Sequence, residues 1–563
     1  MLSLIPCDLA VRRLLAALLL GLLAIATPSL LPAREPIFVV SVAGVERLLD
    51  DVDYLTDLAD RPEIAGFVRG MQGTVNNLKG IDKSRSISLV ALLPEGASEG
   101  TPPDVALLVP VTSIPDLQKT IGLTKRFSLK EGDVPGDYIF EGPKKKVFVR
   151  IAEGWAVVSE KTELLGETSI RSDRWQALLG ENDLACHVAW GSLPQHVVEE
   201  AVDKMTHDRD KERTRRADED DIEYEARQLG MDVVLKSGER ILRDLETVSL
   251  TGNVNEKAKR LEAALHFTPK AGTPLAERFV RMQAPTQFAA QTGGGDDALL
   301  VTMSLNNPEI LCRGLSELIE KGKQRADEKL TDEAQRGLVR RLLDVAGDIV
   351  GGKNFDGFLR VVPTPQDRMA IVVATRCARD GELAEILGQV LPEAAKSSDV
   401  KGLTVDAIVS DGVRIHELVP AETRKEDEEL FGTEAAVFLG TGRGVIWGGL
   451  GGPGTAEILK ATVAPAPAAA AAAAVSQAVA APAEGAPLLS IVVHLKKWAG
   501  LIERAGDEPP HVRSAIATAL RESTADEVSL KLQATPAGLS LKFLADDSGL
   551  RAILAGMAAE EKK

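Results

Sequence analysis

Aromatic side chains are scarce in this chain: three Tyr, five Trp and 13 Phe make up 4% of its 563 residues, too few to build stacking platforms for bases or sugar rings. Basic residues are outnumbered 66 to 83 by acidic ones. The net charge of −17 argues against nucleic acid or an anionic membrane surface as partner, because both are held by clustered Lys and Arg. Cysteine is nearly missing. Of four, Cys7 sits in the N-terminal segment, and Cys186, Cys312 and Cys377 are odd in number, widely spaced and without a C-x-x-C pair, which excludes a disulfide framework. Their settings, LACHVAW, EILCRGL and VATRCAR, suit small buried hydrophobes.

Motifs that carry chemistry are missing too. There is no G-x-x-x-x-G-K-[ST] loop for phosphates and no G-x-S-x-G elbow for a nucleophilic serine. His187, His196, His207, His266, His416, His494 and His511 form no H-E-x-x-H or other short ligand spacing, although His187 and His494 occupy similar places in two apolar runs. Gly440 to Gly444 (GTGRG) is followed by an apolar run rather than a helix, so it reads as a hairpin turn. Gly448 to Gly454 (GGLGGPG) does precede a helical pattern but lacks the Lys and Ser/Thr of a phosphate cradle. Asp50-Asp51 and Asp218 to Asp221 read as charged helix faces, and Gly294 to Asp297 is a faint echo of a calcium loop. The sequence therefore assigns no catalytic residue, no metal ligand, no cofactor-binding residue and no cofactor.

What is present begins with a leader. Arg12-Arg13 precede an apolar run from Leu14 to Ala26 that ends in Ala24-Ile25-Ala26, the pattern of a signal peptide over residues 1–33, cut after residue 26 or 33. The run reaches only about 20 Å as a helix, short of a bilayer core, so cleavage is favoured over a permanent anchor. The expected location is the periplasm, the cell surface or the exterior, with an N-terminal anchor only if the leader stays on. No transmembrane span is expected after cleavage.

The second feature is repetition. A strand-like run turning into an amphipathic helix occurs at PIFVVSVAGVERLLDDV, DLACHVAWGSLPQHVVEEA, ALLVTMSLNNPEILCRGL and LLSIVVHLKKWAGLIERA. Each is followed by more helical sequence, two alternating strands and a short helix, giving a β-α-α-β-β-α module. Val528, Leu530 and Leu532 alternate with Ser529, Lys531 and Gln533, which predicts antiparallel strands with one buried and one solvated face. The first and third modules carry an extra block, in which Val147-Phe148 and Gly154 align with Val437-Phe438 and Gly444. The expected fold is α+β: internally duplicated modules with antiparallel sheets packed against helices. The boundaries are a first half at 36–285 (long module 36–170, short module 183–285), a second long module at 297–462, and a short module at 488–558. Two stretches stand apart: Asp203 to Arg227, read as one solvated helix laced with i,i+4 charge pairs, and an Ala/Pro-rich linker at 463–487.

These repeated elements resemble a family of uncharacterised exported bacterial repeat proteins classed as a domain of unknown function. The resemblance lies in hydrophobic pattern and is closest for the first and third modules. It implies an exported α+β protein and no particular chemistry. The expected function is that of a non-enzymatic scaffold or interaction module with a protein partner. The alternatives are a periplasmic carrier of an apolar ligand or lipid, and a hydrolase with dispersed catalytic residues.

Overall fold

The computed structural model describes residues 36–560 except 59–61, 95–100, 123–127, 143–145, 168–169, 171, 213, 216–218, 220, 290, 293–295, 307–308, 353, 367, 465–485 and 505–508. The leader and nearly all of the Ala/Pro segment lie outside the described residues. The chain is a mixed α+β protein that divides into two compact units, Met1–Asp208 with Glu239–Leu275, and Arg209–Gly238 with Ala276–Lys563.

In the first unit the strands are β1 (Pro36–Val42), β2 (Ile87–Leu92), β3 (Asp104–Pro110), β4 (Ser128–Glu131), β5 (Asp137–Glu141), β6 (Lys146–Ala152), β7 (Trp155–Ser159), β8 (Leu184–Val188), β9 (Leu245–Asn255) and β10 (Arg260–Pro269). All their pairings are antiparallel, in the order β4-β5-β6-β7-β3-β2-β1-β8-β9-β10. Alternation along the central strands feeds two cores. Val90, Leu92, Ala106 and Leu108 meet Trp155, Leu164, Ile170 and Trp175, while Val188 and Val248 meet Trp190, Leu193 and Val197. Trp190 settles its indole N–H on the Leu242 carbonyl at 2.6 Å, which satisfies the polar end of an otherwise apolar side chain.

The second unit contains β11 (Leu299–Asn306), β12 (Asn354–Pro363), β13 (Met369–Arg376), β14 (Val400–Ser410), β15 (Val413–Pro420), β16 (Ala436–Gly442), β17 (Val445–Gly451), β18 (Leu489–His494), β19 (Glu527–Thr535) and β20 (Gly538–Asp546). They too are antiparallel, ordered β14-β15-β16-β17-β13-β12-β11-β18-β19-β20. The largest core gathers Phe288, Phe358 and Trp447, packed edge to face, with Ile415, Phe438 and Leu459. Hairpin β16–β17 turns on Arg443 and Gly444, both at positive φ (58° and 71°), as a two-residue primed turn requires. At the far end of the ladder β14 pairs only with β15 among the described residues. Its register slips between Thr404 and Ile408, where Asp406 has φ 55°.

Four readings of the sequence change. Asp203 to Arg227 is not one helix: Gln195–Glu212 stops, and a new helix, Asp221–Asp244, begins. Arg227 turns back eight residues to both carboxylate oxygens of Glu219, and Arg215, between the two helices, donates to the Glu219 carbonyl. Residues 209–238 belong with the second unit, unlike the expected half at 36–285. Glu225 pairs there with Lys321 and Arg325, and Leu229 lies against Gly314. Val463 closes the helix Thr455–Val463 with its side chain fully buried, so it is part of the fold rather than the start of a linker. In β19 the expected two faces blur, since Ser529 is buried and Val528, Leu530 and Leu532 are half-buried. Among the described residues, no helix is long and apolar enough to cross a membrane.

Candidate functional site

In the second unit a cleft of about 560 Å³ opens between four segments, a size suited to a small ligand or a short stretch of polypeptide. The first is the β12–β13 turn, closed by the Thr364 N–H donating to the Arg368 carbonyl at 2.7 Å. The second is the end of the helix Lys425–Phe431, where the Gly432 N–H donates to the Glu428 carbonyl at 2.9 Å and a φ of 87° turns the chain away. The third is Gly452-Pro453 after β17. A Cβ on Gly452 would fall 2.3 Å from the Phe431 carbonyl oxygen, so only glycine allows these two backbones to meet. The fourth is Arg504, at the end of the helix Ala499–Arg504.

Buried Phe431 and exposed Pro453 supply apolar lining, and Thr364, Gln366 and Thr433 supply neutral hydrogen-bonding groups. Glu428, Glu429 and Glu434 face this space with Arg368 and Arg504. Arg368 is half-buried and its Nη1 donates to the Glu429 carbonyl at 2.6 Å, which fixes one wall. Mixed charge with a partly apolar lining suits recognition of a polar chain.

An apolar row also crosses each sheet. Directly opposed residues form the row Val149, Val158, Leu107, Leu89, Val40, Cys186, Leu250 and Leu265 from β6 to β10. The second unit has the row Leu439, Gly448, Val373, Leu359, Val301, Ile491, Leu530 and Phe543. Leu89 and Val373 are 37% and 38% exposed, and most of the other residues are half-buried.

The residues singled out in the sequence have structural places. His187 Nδ1 shares a 2.9 Å hydrogen bond with the Ser249 hydroxyl directly across the ladder, and His494 lies 3.9 Å from Asp526. Among the described residues no cluster of His, Cys, Asp and Glu is arranged to hold a metal ion. GTGRG is a hairpin turn. In GGLGGPG the glycines admit close neighbours, since a Cβ on Gly451 would meet the Thr455 hydroxyl at 2.4 Å. Of Gly294 to Asp297, residues 294 and 295 lie outside the described set, and Asp297 is buried against Arg360. Cys377 is buried, and burial pushes the Cys186 thiol up to about 11.

Sequence reasoning missed one constellation. Asp51, read as part of a charged helix face, has its Oδ2 buried with no hydrogen-bond donor, against the carboxyl of Asp183. Burial and the neighbouring carboxylate raise Asp51 to about 6. No local signal in the sequence joins residues so far apart. No family model, curated protein or solved structure matches the chain.

Proposed function

We propose that this is an exported, non-enzymatic repeat protein, a scaffold or interaction module whose second half holds a polypeptide partner in the cleft around Phe431. Duplication is supported by the ladder orders: each position in the second unit's sheet is filled by the strand ten places later in the chain than its counterpart in the first. Each of the four β-α-α-β-β-α stretches of the element order is then a copied module, in keeping with the resemblance to exported repeat proteins. Repeated architectures multiply surface rather than reaction centres.

The observation that carries the binding role is the cleft, with mixed charge and apolar lining on four converging segments. A photo-crosslinking amino acid placed at Thr433 in the native host should trap a discrete polypeptide. One at Lys257, in the β9–β10 hairpin, should not. Equal products at both positions, or none at Thr433, would remove the assignment. Export is tested separately, by fractionating cells that express the chain with and without residues 1–33.

The apolar rows, exposed at Leu89 and Val373, favour a second reading, a carrier of an apolar ligand or lipid. Protein purified from its own host should then release a lipid in native mass spectrometry, and repeated absence of such a species would exclude this role.

A further inference from the structure

Asp183 is a junction in the first unit. Its backbone carbonyl accepts the Ala43 N–H at 2.8 Å, its N–H donates to the Gly252 carbonyl at 2.9 Å, and its Oδ2 accepts the Val254 N–H. Arg47, in the first turn of the helix Val45–Leu58, lies 2.6 Å from Asp183 Oδ1 through Nε. Its Nη2 donates to the Glu181 carbonyl at 2.6 Å and to Asn253 Oδ1 at 2.9 Å. One helical turn on, Asp51 presses its carboxyl against that of Asp183, and its buried Oδ2 finds no donor. Two acceptors in contact repel, but a proton on either one turns the contact into an O–H···O hydrogen bond.

We propose that Asp51 and Asp183 form an acid-closed clasp, in which one proton taken up from solvent ties the helix Val45–Leu58 to the start of β8 and its loss loosens that helix. Burial first, and then the Asp183 carboxyl, raise Asp51 to about 6. The charged groups acting on it are Asp183 from the turn before β8, and Arg47 and Asp50 from its own helix. From β9 come the neutral Asn253 side chain and the Val254 N–H. Glu262, opposite Asn253 on β10, is paired with Arg260. Arg47 keeps hold of Asp183 in both states, so the helix loosens without detaching. Its release weakens the packing of Leu48 against Leu179 and Ala185, and of Leu49 against Val75.

Hydrogen exchange on the full mature chain tests this at pH 5 and pH 7.5, with rates corrected for the intrinsic effect of pH. Peptides from Val45–Leu58 should exchange about tenfold more slowly at pH 5, a shift scaled down from the pKa change for partial exposure. Asp51→Asn, whose amide donates to Asp183 at any pH, should give slow exchange at both. Asp50→Asn, an exposed neighbour, should leave the response intact. A flat wild-type profile overturns the clasp, as does an unchanged pH response in Asp51→Asn. If Asp51→Asn fails to fold, the wild-type and Asp50→Asn profiles still decide the matter.

Discussion

Arg360 Nε donates to Asp297 Oδ1 at 2.6 Å where the carboxylate is only 2% exposed, and Arg360 Nη1 reaches the Thr462 hydroxyl at 3.3 Å. This pair fastens the segment before β11 to the middle of β12 and to the helix Thr455–Val463. Burial nevertheless holds the Asp297 carboxyl above its usual range, although Arg360 pulls it down. Desolvation thus outweighs attraction, the common balance for a buried pair.

Removing one member should therefore cost more than removing both. Arg360→Met leaves a buried carboxylate without its cation and should destabilise the second unit by about 3 kcal/mol. Adding Asp297→Asn should restore most of the loss. Denaturant unfolding followed by Trp fluorescence measures both, and equal losses in the single and double variants would contradict the account.

Two glycines of β16–β17 should respond unequally. Gly444 has φ 71°, and a Cβ there would only touch the Cys377 carbonyl oxygen at an ordinary 3.8 Å, so Gly444→Ala meets mainly backbone strain, about 1 kcal/mol. A Cβ on Gly440 would fall 2.1 Å from the Arg414 carbonyl oxygen, so Gly440→Ala must push β15 away and should cost clearly more. Thermal unfolding of the two variants gives the order.

Thiol chemistry should be slow in the native state. With Cys377 buried and Cys186 raised to about 11, little thiolate exists at pH 8, and iodoacetamide should label both only after unfolding. Rapid native labelling at either position, read by peptide mass spectrometry, would contradict the burial.

Two aspartates of the first unit should pull stability in opposite directions as pH changes. Arg150 faces Asp137 across β5–β6 with Nε and Nη2 donating to the two carboxylate oxygens at 2.7 and 2.9 Å. That bond lowers the Asp137 pKa. Its contribution, about 0.5 kcal/mol after solvent screening, is present above the ordinary aspartate pKa and lost as pH falls through the lowered value. Asp51 is raised, so its contribution is full in acid and lost as pH rises toward about 6. Asp137→Asn should thus lower the melting temperature at pH 7 but not in strong acid, whereas Asp51→Asn should flatten the dependence between pH 4 and 6.

Much of the element order was legible because its signals are local. Ile37 and Val39, Val90 and Leu92, and Ala106 and Leu108 recur at strand spacing, and Arg443-Gly444 states its own turn. What stayed hidden depends on residues distant in sequence. Asp51 and Asp183 meet only because β1 pairs with β8, and the cleft needs Arg368, Phe431, Pro453 and Arg504 brought together from four segments. The break between Glu212 and Asp221 escaped for a related reason. Dense mixed charge is compatible with a helix, and only the return of Arg227 to Glu219 shows the turn.

The slipped register of β14 bears on how this chain avoids its own kind. Val405 and Val409 are 58% and 60% exposed on a strand that, among the described residues, is bonded on one side only, and a long straight ribbon of that composition would invite a neighbouring molecule to add as the next strand. The kink at Asp406 interrupts the row of free backbone groups after a few residues. An incoming strand could match one end of β14 or the other but not both, so growth at this edge is self-limiting.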